Sequence, residues 1–252
     1  MSIIRFFVAP QNIVGNQAVL DENETRHALK VMRLKPGDEV VLFDGQGRSY
    51  QACLESIQGK CLVAALIKAG SADAVPSVNI HLVQGLPKGD KMDLIVQKAV
   101  EIGVHSVYPL QCRRSIPQIK EGAAAKKLQR WELIAREACK QSGRNRLLNI
   151  KPPLYLSQLL SAMQGRPGVV LYEKERLSGY KQMLQTLIPR CRQKDLFLLV
   201  GPEGGWDDGE IEEMLKQGIY AATLGSRMLR TETAGLVAAA LALYEAGELG
   251  MP

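Results

Sequence analysis

The sequence predicts an α/β protein in which a small β domain precedes a larger domain built on a mostly parallel sheet. Up to about residue 70, short β-branched or alternating segments are separated by turns rich in glycine and aspartate, a pattern typical of a small barrel or sandwich. From Val78 onwards, apolar strands alternate with segments of helical periodicity, which is typical of a parallel sheet covered on both faces. We therefore expect two domains, residues 1–70 and 77–252, joined by the polar residues 70–76.

The composition is that of a globular protein with a substantial core, since 46% of the 252 residues are hydrophobic and 23% are charged. No apolar segment approaches the roughly 18 residues that span a membrane, and the amino terminus lacks the features of a signal peptide. The five cysteines are scattered and form no C-x-x-C pair, which argues against a disulfide scaffold or zinc site and predicts a cytoplasmic protein. The formal net charge of +6 is compatible with an RNA partner but does not require one.

In the first domain, turn residues separate four strands and leave room for one short helix. The helix is predicted over residues 24–33, with Asn23 as its N-cap. The strands are predicted over residues 3–8, 39–44, 48–57 and 61–67.

In the second domain, five strands alternate with helices. The strands are predicted over residues 78–84, 104–110, 168–173, 195–200 and 219–224. The helices are predicted over residues 90–102, 123–141, 180–187 and 232–245, with a further helix beginning near Asp207. Ligands of such sheets bind beyond the carboxyl ends of the strands, so the candidate site lies in the loops that follow Leu171, Val200 and Leu224.

The loop after Val200 reads Gly-Pro-Glu-Gly-Gly and is called the glycine loop (residues 201–205) below. Its glycines allow a backbone to approach a ligand closely, and its amides could face adenine, a hydroxyl group or an anion. Asp207 and Glu210 form a capping box for the helix that follows. A plain strand-to-helix turn explains the same residues equally well, so the loop alone does not decide between the two interpretations.

The loop after Leu224 carries Arg227 and Arg230 and leads into a helix that is apolar nearly all round, with Thr231 as its predicted N-cap. Such a helix is buried in a core or in a subunit interface, and arginines at its mouth require anionic partners. Either Arg230 meets a ligand, or it forms a structural ion pair with Glu203 or Glu232. Other nucleotide motifs, G-x-x-x-x-G-K-[ST] and G-x-G-x-x-G, do not occur.

Taken in order, GPEGGWDDGEI and TLGSRMLRTETAG resemble the signature of the SPOUT-class 16S ribosomal RNA uridine-N3 methyltransferases. The resemblance extends to TRHALKVMRLKPGDEVVLFDGQG, KGDKMDLIVQKAVEIGV and RWELIAREACKQSGRN. It implies a PUA-like β-barrel that binds RNA, followed by a SPOUT-type α/β domain whose C-terminal chain forms a trefoil knot. It also implies S-adenosylmethionine as cofactor, a uridine of the assembled small ribosomal subunit as target, and a homodimer formed through the C-terminal domain.

The resemblance assigns roles to residues of the three loops. Arg230 is expected to stabilise the charge that develops on the uracil oxygens, while Glu203 or Glu232 accepts the N3 proton or positions the arginine. Orientation of the cofactor against the base would supply much of the rate. The residues expected to bind the cofactor are Leu171, Gly201, Pro202, Glu203, Gly204, Leu224, Gly225, Met228, Leu229 and Thr233.

Basic residues are the candidates for RNA contacts. Arg136, Lys140 and Arg144 recur at intervals of four and share one face of the long helix or its exit. A solvated helix face explains this spacing equally well. The other candidates are His27, Arg33, Arg113, Arg114 and Arg146.

Two other functions fit parts of the sequence. A non-catalytic RNA-binding or ribosome-assembly protein could retain the fold, but both the glycine loop and Arg230 are present. A phosphate-binding hydrolase could use the glycine loop, but no metal-binding carboxylates or nucleophile–base pair stand out. Binding of S-adenosylmethionine distinguishes the methyltransferase from both alternatives.

Overall fold

The computed structural model describes residues 4–70, 72–116, 118–119, 121–191 and 195–250, and its contacts divide the chain into two compact units. The first unit comprises Met1–Val75 and Arg136–Leu147, and the second comprises Pro76–Ala135 and Leu148–Pro252. The sequence-based boundary assigned residues 136–147 to the second domain. The linker predicted over residues 70–76 includes Ser71, which lies outside the described residues.

The first unit contains one six-stranded sheet in the order β1-β4-β5-β6-β3-β2. All neighbours are antiparallel except β1 and β4, which are parallel. Alternate residues of these strands point into a core that includes Phe6, Leu42, Leu54 and Leu62. The strands are β1 Arg5–Phe7, β2 Ile13–Val14, β3 Gln17–Val19, β4 Glu39–Phe43, β5 Ser49–Gln58 and β6 Cys61–Ala69.

The short hairpin of β2 and β3 was not predicted, and Ile3, the first residue of the first predicted strand, lies outside the described residues. The helix of this unit also differs from the prediction. It is α1, Glu22–Arg26, and a π-helical turn, His27–Val31, follows it. Its N-cap is Asp21, whose carboxylate accepts a hydrogen bond of 2.8 Å from the Glu24 backbone N–H. The prediction of Asn23 as the cap was wrong, because Asp21 starts the helix two residues earlier.

The second unit contains a seven-stranded sheet in which every pairing is parallel. Its main path runs β10-β8-β7-β12-β11-β13, and β9 pairs with β8. The alternation of strands and helices predicted this arrangement. The strands are β7 Asn79–Gly85, β8 Ser106–Gln111, β9 Asn149–Ile150, β10 Leu154–Tyr155, β11 Gly168–Leu171, β12 Asp195–Val200 and β13 Tyr220–Ala222.

The helices of the second unit begin and end close to the predicted bounds, but α4 and the two-residue strands β9 and β10 were not predicted. The long helix α3 crosses the division between the units, since its residues from Arg136 onwards belong to the first unit. The helices are α2 Lys91–Ile102, α3 Glu121–Ser142, α4 Leu156–Met163, α5 Tyr180–Leu187, α6 Asp208–Lys216 and α7 Thr231–Glu245.

Helix α7 packs on the central strands β7 and β12 and on α2. Gly235 permits this approach, because a Cβ there would lie 2.9 Å from Gln84 Oε1 and 3.2 Å from a Leu82 methyl group. The buried face of α7 includes Ala238, Ala239 and Ala242. The knotted path of the chain stays a prediction. Within the described residues, no helix is long and apolar enough to cross a membrane.

The amino ends of β7 and β12 hold a polar group of side chains, called the amino-end cluster below, in which His81 and Ser106 are buried and the other members are partly buried: Asn79, His81, Ser106, Arg166 and Asp195. His81 Nδ1 lies 2.5 Å from Ser106 Oγ and His81 Nε2 lies 3.1 Å from Asp195 Oδ1. Asp195 also accepts hydrogen bonds from Asn79 Nδ2 at 2.9 Å and Arg166 Nη1 at 2.8 Å. The cluster thus pairs its charges internally.

Candidate active site

The carboxyl ends of β11, β12 and β13 open into a cavity of about 680 Å³, a size typical of ligand pockets. Three loops form its walls: the first loop (residues 172–179), the glycine loop, and the third loop (residues 223–230). Apolar side chains such as Leu171, Val200 and Leu229 lie beside backbone polar groups of the glycine loop. The position agrees with the expectation drawn from the strand order.

The glycine loop is held from beneath by Trp206, whose side chain is 1% exposed. The indole Nε1 donates a hydrogen bond of 3.0 Å to the carbonyl of Leu171, which ties this loop to the end of β11. A Cβ at Gly201 would lie 3.2 Å from the indole ring. Gly205 has a φ of +68°, a conformation that favours glycine. The loop therefore combines a turn with a close backbone surface.

The capping box that the sequence predicted at the end of this loop is present. The Asp207 carboxylate accepts a hydrogen bond of 3.1 Å from the Gly209 N–H, and the Glu210 carboxylate accepts one of 3.1 Å from the Asp207 N–H. These bonds satisfy amides at the start of α6 that have no partner within the helix. The amides at the start of α6 therefore need no hydrogen-bond acceptor from the glycine loop.

The third loop is tied to the glycine loop by Thr231. Its hydroxyl donates a hydrogen bond to the carbonyl of Gly201 and accepts one of 2.8 Å from Gln84 Nε2. Gln84 is 0% exposed, so this bond is shielded from water. The prediction that Thr231 caps the last helix was wrong: Arg230 is the N-cap residue and makes no side-chain cap, because the threonine hydroxyl is turned towards Gly201.

The first loop joins β13 and the third loop through the backbone, and Trp206 ties the glycine loop to the end of β11, where the first loop begins. The Tyr172 N–H donates to the Ala222 carbonyl at 3.1 Å, and the Tyr180 N–H donates to the Thr223 carbonyl at 3.0 Å. Within the loop, one carboxylate oxygen of Glu175 accepts hydrogen bonds from the N–H groups of Arg176, Leu177 and Ser178. The three walls are therefore bonded to one another.

A group of three charges lies at the edge of the cavity and is called the rim cluster below: Lys91, Glu203 and Glu232. Lys91 Nζ lies 2.8 Å from Glu203 Oε1 and 3.3 Å from Glu232 Oε2. Glu203 also accepts a hydrogen bond of 3.1 Å from the Lys88 backbone N–H. With one ammonium and two carboxylates, the cluster carries a net charge of −1 when all three groups are ionised.

The contacts of the rim cluster change its proton affinities. The hydrogen bond to Glu203 raises the pKa of the Lys91 ammonium. Partial burial alone would raise the pKa of the Glu203 carboxyl, but hydrogen bonds from Lys91 and from backbone N–H groups outweigh it and lower that pKa. Both groups therefore stay ionised at neutral pH.

Arg227 and Arg230 are exposed at the mouth of the cavity and line it. Within the described part of the chain, neither guanidinium forms an ion pair. The alternative in which Arg230 bridges Glu203 or Glu232 was wrong, because Lys91 pairs with both carboxylates. The arginines thus remain available to an anionic ligand.

Two family models match the chain. The model described as an RNA methyltransferase domain matches residues 75–243, and the model described as an RNA methyltransferase PUA domain matches residues 20–66. The Bacillus subtilis protein named ribosomal RNA small subunit methyltransferase E is 32% identical over 224 residues, which cover 88% of this chain and 88% of that protein. The chain belongs to the ribosomal RNA small subunit methyltransferase E family.

Solved structures agree with this assignment. The Neisseria gonorrhoeae ribosomal RNA small subunit methyltransferase E, crystallised with S-adenosylmethionine, is 32% identical with a TM-score of 0.81, covering 96% of this chain and 97% of that one. A Legionella pneumophila protein solved in complex with S-adenosylmethionine is 28% identical with a TM-score of 0.86, covering 97% of this chain and 98% of that one. The likeness therefore extends over both units.

The structure of this methyltransferase E family member brings most of the predicted cofactor residues to the cavity. Thr233 is the exception, because it is exposed and does not line the cavity, whereas Thr231 and Ala234 do. Successive helical residues are rotated by about 100°, so Thr233 points away from the wall that Thr231 faces. The predicted residues that line the cavity are Leu171, Gly201, Pro202, Glu203, Gly204, Leu224, Gly225, Met228 and Leu229.

Two of the predicted RNA-contacting residues lie next to the glycine loop. Arg113 Nη1 donates a hydrogen bond of 2.8 Å to Asp207 Oδ1, and the side chain of Arg113 is 64% exposed. A Cβ at Gly204 would lie 3.2 Å from Arg114 Cβ. Both arginines keep exposed donors beside the cavity.

Arg136 and Lys140 lie in the first unit and are engaged with it. Lys140 Nζ pairs with Glu24 at 2.8 Å, and the two side chains are only 8% and 3% exposed. The Arg136 guanidinium lies 4.5 Å from the centre of the Phe7 ring and pairs with Asp21 at 3.4 Å. Both of these regularly spaced cations are thus engaged in contacts within the first unit.

The remaining RNA candidates are also in the first unit. His27 packs edge-on against the Phe6 ring at 5.9 Å. Arg33 is exposed and has a φ of +56°. Burial lowers the pKa of Arg144, and Arg146 forms an isolated bridge with Gly45 and Gln46. Of these four, Arg33 is the most accessible.

Sequence reasoning missed three residues that shape the site: Gln84, Lys91 and Trp206. Trp206 directly follows the glycine loop, and its position could have suggested an anchor. Lys91 and Gln84 gave no such signal, because their partners are distant in sequence and only the folded chain brings them together. Among the described residues, no group of His, Cys, Asp and Glu side chains could hold a metal ion.

Proposed function

We propose that this protein transfers a methyl group from S-adenosylmethionine to N3 of a uridine in 16S ribosomal RNA. The observation that carries the proposal is the cavity at the carboxyl ends of β11, β12 and β13, walled by the glycine loop, with Arg227 and Arg230 at its mouth forming no ion pair among the described residues. Support comes from the names of the family members and from the cofactor found in two similar structures.

The residues of the cavity fit this cofactor chemically. Leu171, Val200 and Leu229 offer apolar surface to an adenine ring, and the close backbone of the glycine loop offers hydrogen-bonding groups at its edge. The net negative charge of the rim cluster suits a sulfonium cation. When bound, S-adenosylmethionine supplies a methyl group activated for transfer to a nucleophile.

The other steps of the reaction involve the uracil base and the side chains at the mouth of the cavity. N3 must lose its proton, and negative charge then spreads to the two uracil oxygens. Arg230 is exposed at the mouth and without an ion-pair partner in the described structure, so its guanidinium can stabilise that charge.

Glu203 and Glu232 divide two tasks between them. Glu203 holds the rim through Lys91 and the Lys88 N–H, and its lowered pKa makes it a weak proton acceptor. Glu232 lies in the first turn of α7, with its side chain 13% exposed. We therefore assign the positioning role to Glu203 and proton acceptance to Glu232, which does not line the cavity and would accept the proton through a water molecule.

The decisive experiment is single-turnover methylation of small subunits by Arg230→Ala, with cofactor affinity measured separately by calorimetry. We expect the chemical step to slow by roughly 100-fold, the effect typical of removing one stabilising donor, while the cofactor Kd stays within about threefold of wild type. The matched control is Arg190→Ala, since Arg190 is exposed outside the cavity. A weakened Kd with an unchanged chemical step would make Arg230 a binding residue only.

The structure does not support the hydrolase alternative. Ser106, His81 and Asp195 have the order of a hydrolytic triad, but Ser106 is 1% exposed and His81 is 5% exposed. A nucleophile must reach its substrate, and this one is enclosed at the amino ends of the strands. The non-catalytic alternative would be supported if wild-type protein bound no S-adenosylmethionine.

We also propose that RNA approaches over the arginines beside the cavity, Arg113, Arg114, Arg227 and Arg230. Phosphate contacts by such residues make affinity fall with salt. Charge reversal of Arg114 should therefore flatten the salt dependence of RNA binding, and an unchanged slope would exclude it. For Arg136 and Lys140, the contacts to the first unit favour a structural role over RNA binding.

We propose further that the protein is a homodimer that acts on assembled subunits in the cytoplasm. Helix α7 exposes Val237, Leu241 and Tyr244, at 37%, 45% and 66%, and their spacing of four and three residues forms one apolar stripe. An exposed apolar stripe suits a second copy of the chain. Sedimentation at micromolar concentration tests this proposal. A protein that sediments as a monomer would contradict the homodimer.

A further inference from the structure

The rim cluster joins three separate parts of the chain. Lys91 is the first residue of α2, Glu203 is the centre of the glycine loop, and Glu232 is the second residue of α7. One ammonium lies between the two carboxylates, at 2.8 Å and 3.3 Å. Lys91 therefore links the wall formed by the glycine loop to the start of α7, which continues the wall formed by the third loop.

A second link joins the same two walls closer to the core. The Thr231 hydroxyl bonds the Gly201 carbonyl of the glycine loop, and Gln84 supports that hydroxyl from β7. The spacing of the walls is thus set twice, by neutral hydrogen bonds in the core and by charges at the rim. The outer link is the one beside the mouth of the cavity.

The outer link between Glu203 and Glu232 depends on the positive charge of Lys91. In the absence of Lys91, the carboxylates of Glu203 and Glu232, which lie 2.8 Å and 3.3 Å from its Nζ, would face each other across the rim. Like charges that close to each other repel. Other cations do not replace it, because Lys88 meets Glu203 only through its backbone N–H and Arg230 forms no ion pair in the described structure. Removing Lys91 therefore converts an attraction between the walls into a repulsion.

We infer that Lys91 is a positioning residue of the cofactor site, which holds the glycine loop and the start of α7 at the spacing that the adenosyl group requires. The inference rests on the proposed function, since it names a residue that prepares the same site. Lys91 acts through Glu203 and Glu232, and it takes no part in the proton transfer itself.

The test compares Lys91→Gln with Lys91→Arg in the full-length protein. The probes are S-adenosylmethionine and its demethylated product, S-adenosylhomocysteine, whose sulfur is uncharged. We expect Lys91→Gln to weaken binding of both by about tenfold, as expected for the loss of a charge-assisted hydrogen bond. Lys91→Arg keeps the positive charge and should restore most of the affinity. A purely electrostatic effect would instead strengthen binding of the sulfonium form relative to the uncharged product, because the substitution removes a positive charge, and that result would overturn the positioning role.

The pH dependence of product binding gives a second readout. In wild type, affinity should be nearly constant from about pH 5.5 to pH 8, because the hydrogen bond from Lys91 helps to lower the pKa of the Glu203 carboxyl and keeps that group ionised. In Lys91→Gln, the two facing carboxylates raise the pKa of one of them, so affinity should recover as the pH falls and that group takes up a proton. A purely structural defect in α2 would give a loss that does not vary with pH, and that result would overturn the inference.

The matched control is Lys98→Gln on the same helix. Lys98 pairs with Glu101 at 2.9 Å and does not line the cavity, so its loss should leave cofactor affinity unchanged. Failure of the two proposals can be distinguished. If wild type binds neither probe, the proposed function fails; if wild type binds and methylates but Lys91→Gln matches Lys98→Gln, only the role of Lys91 fails.

Discussion

Strands β7 and β12 lie side by side in register, yet their two ends are built in opposite ways. At the amino ends, large side chains fill the space, and the His81 ring stacks on Phe197 with 4.5 Å between centroids. At the carboxyl ends, glycines bring the two backbones together, and a Cβ at Gly85 would lie 2.6 Å from the Pro202 nitrogen. One end of the strands is packed for stability, and the other leaves a cavity between close backbones.

The two ends also treat charge differently. Asp195 at the amino end accepts hydrogen bonds from Asn79 and Arg166, lies 3.1 Å from His81 Nε2, and is mostly shielded from solvent. At the carboxyl end, Lys91 serves two carboxylates, while Arg230 is exposed without an ion-pair partner in the described structure. Charged groups whose partners all lie within the protein cannot contact a ligand, whereas charged groups that lack a partner within the protein can. This difference separates a structural cluster from a candidate site more clearly than composition does.

The strongest test of the comparison is Asp195→Ala. It leaves Arg166, His81 and Asn79 without their shared acceptor, and we expect the free energy of unfolding to fall by about 3–5 kcal/mol, as for the loss of one member of a buried charged group. Urea denaturation measures the loss. Cofactor affinity of the folded variant should match wild type, since the cluster lies at the opposite end of the strands.

Asp208→Ala is the control for this variant. It removes an exposed pair with Lys174 and a hydrogen bond from the Tyr172 hydroxyl, and because exposed pairs contribute little it should reduce stability much less than Asp195→Ala. If Asp195→Ala were as stable as Asp208→Ala, the amino-end cluster would not be a source of stability.

The strands and helices were largely predictable because their signals are local. Residues 180–187 and 195–200 were predicted with the bounds that α5 and β12 have in the structure, since apolar periodicity and turn residues mark both. The glycine loop and its capping box were predictable for the same reason. The short strands β9 and β10 have only two residues each, too few for a periodic pattern, and they exist because β8 offers an edge.

The roles of charged side chains were less predictable, because they depend on distant partners. The spacing of Arg136 and Lys140 is the same whether the helix face meets water, RNA or another part of the protein. Their acidic partners, Asp21 and Glu24, lie more than 100 residues away in sequence and pair with them only in the folded first unit. The rim cluster was missed in the same way, since nothing near Lys91 in sequence indicates Glu203.

A second test uses acid, because the amino-end cluster contains a buried histidine, His81, and no histidine is among the described residues that line the cavity. Burial lowers the pKa of His81 to about 4, although Asp195 opposes the shift, and His105 and Arg166 also face the ring. In the unfolded chain this histidine takes up a proton near pH 6.5. Between those values the unfolded state binds more protons, so stability falls as the pH drops from about 6.5 to about 4, by on the order of 2–3 kcal/mol.

Asp195 extends this acid sensitivity to lower pH. Burial raises the pKa of its carboxyl, but hydrogen bonds from Asn79, Arg166 and His81 outweigh burial and hold it at about 2. Its contribution is therefore present above its ordinary pKa and is lost as the pH falls towards 2. Urea midpoints measured from about pH 7 to pH 4 should decline in wild type and decline less in His81→Gln, which cannot titrate. Equal declines in both proteins would assign the effect to other groups.

The smallest expected effect, and the most specific, comes from Thr231→Val at the cavity end. The substitution leaves the Gly201 carbonyl and Gln84 Nε2 without their partner, which should cost about 1–2 kcal/mol of stability and weaken cofactor binding by roughly tenfold. Thr25→Val in the first unit is the matched control. Thr25 is also buried, donates to the Leu20 carbonyl at 3.3 Å and accepts from the Leu62 N–H at 2.9 Å.

The two threonines have the same hydrogen-bonding pattern, so the two variants should lose similar stability. Only Thr231 joins two walls of the cavity, and only its loss should therefore reduce cofactor affinity in calorimetry performed on fully folded protein. If both variants bound S-adenosylmethionine equally well, the inner link would be a contribution to stability alone. The carboxyl ends of the strands would then resemble the amino ends, and the spacing of the cavity walls would depend on Lys91.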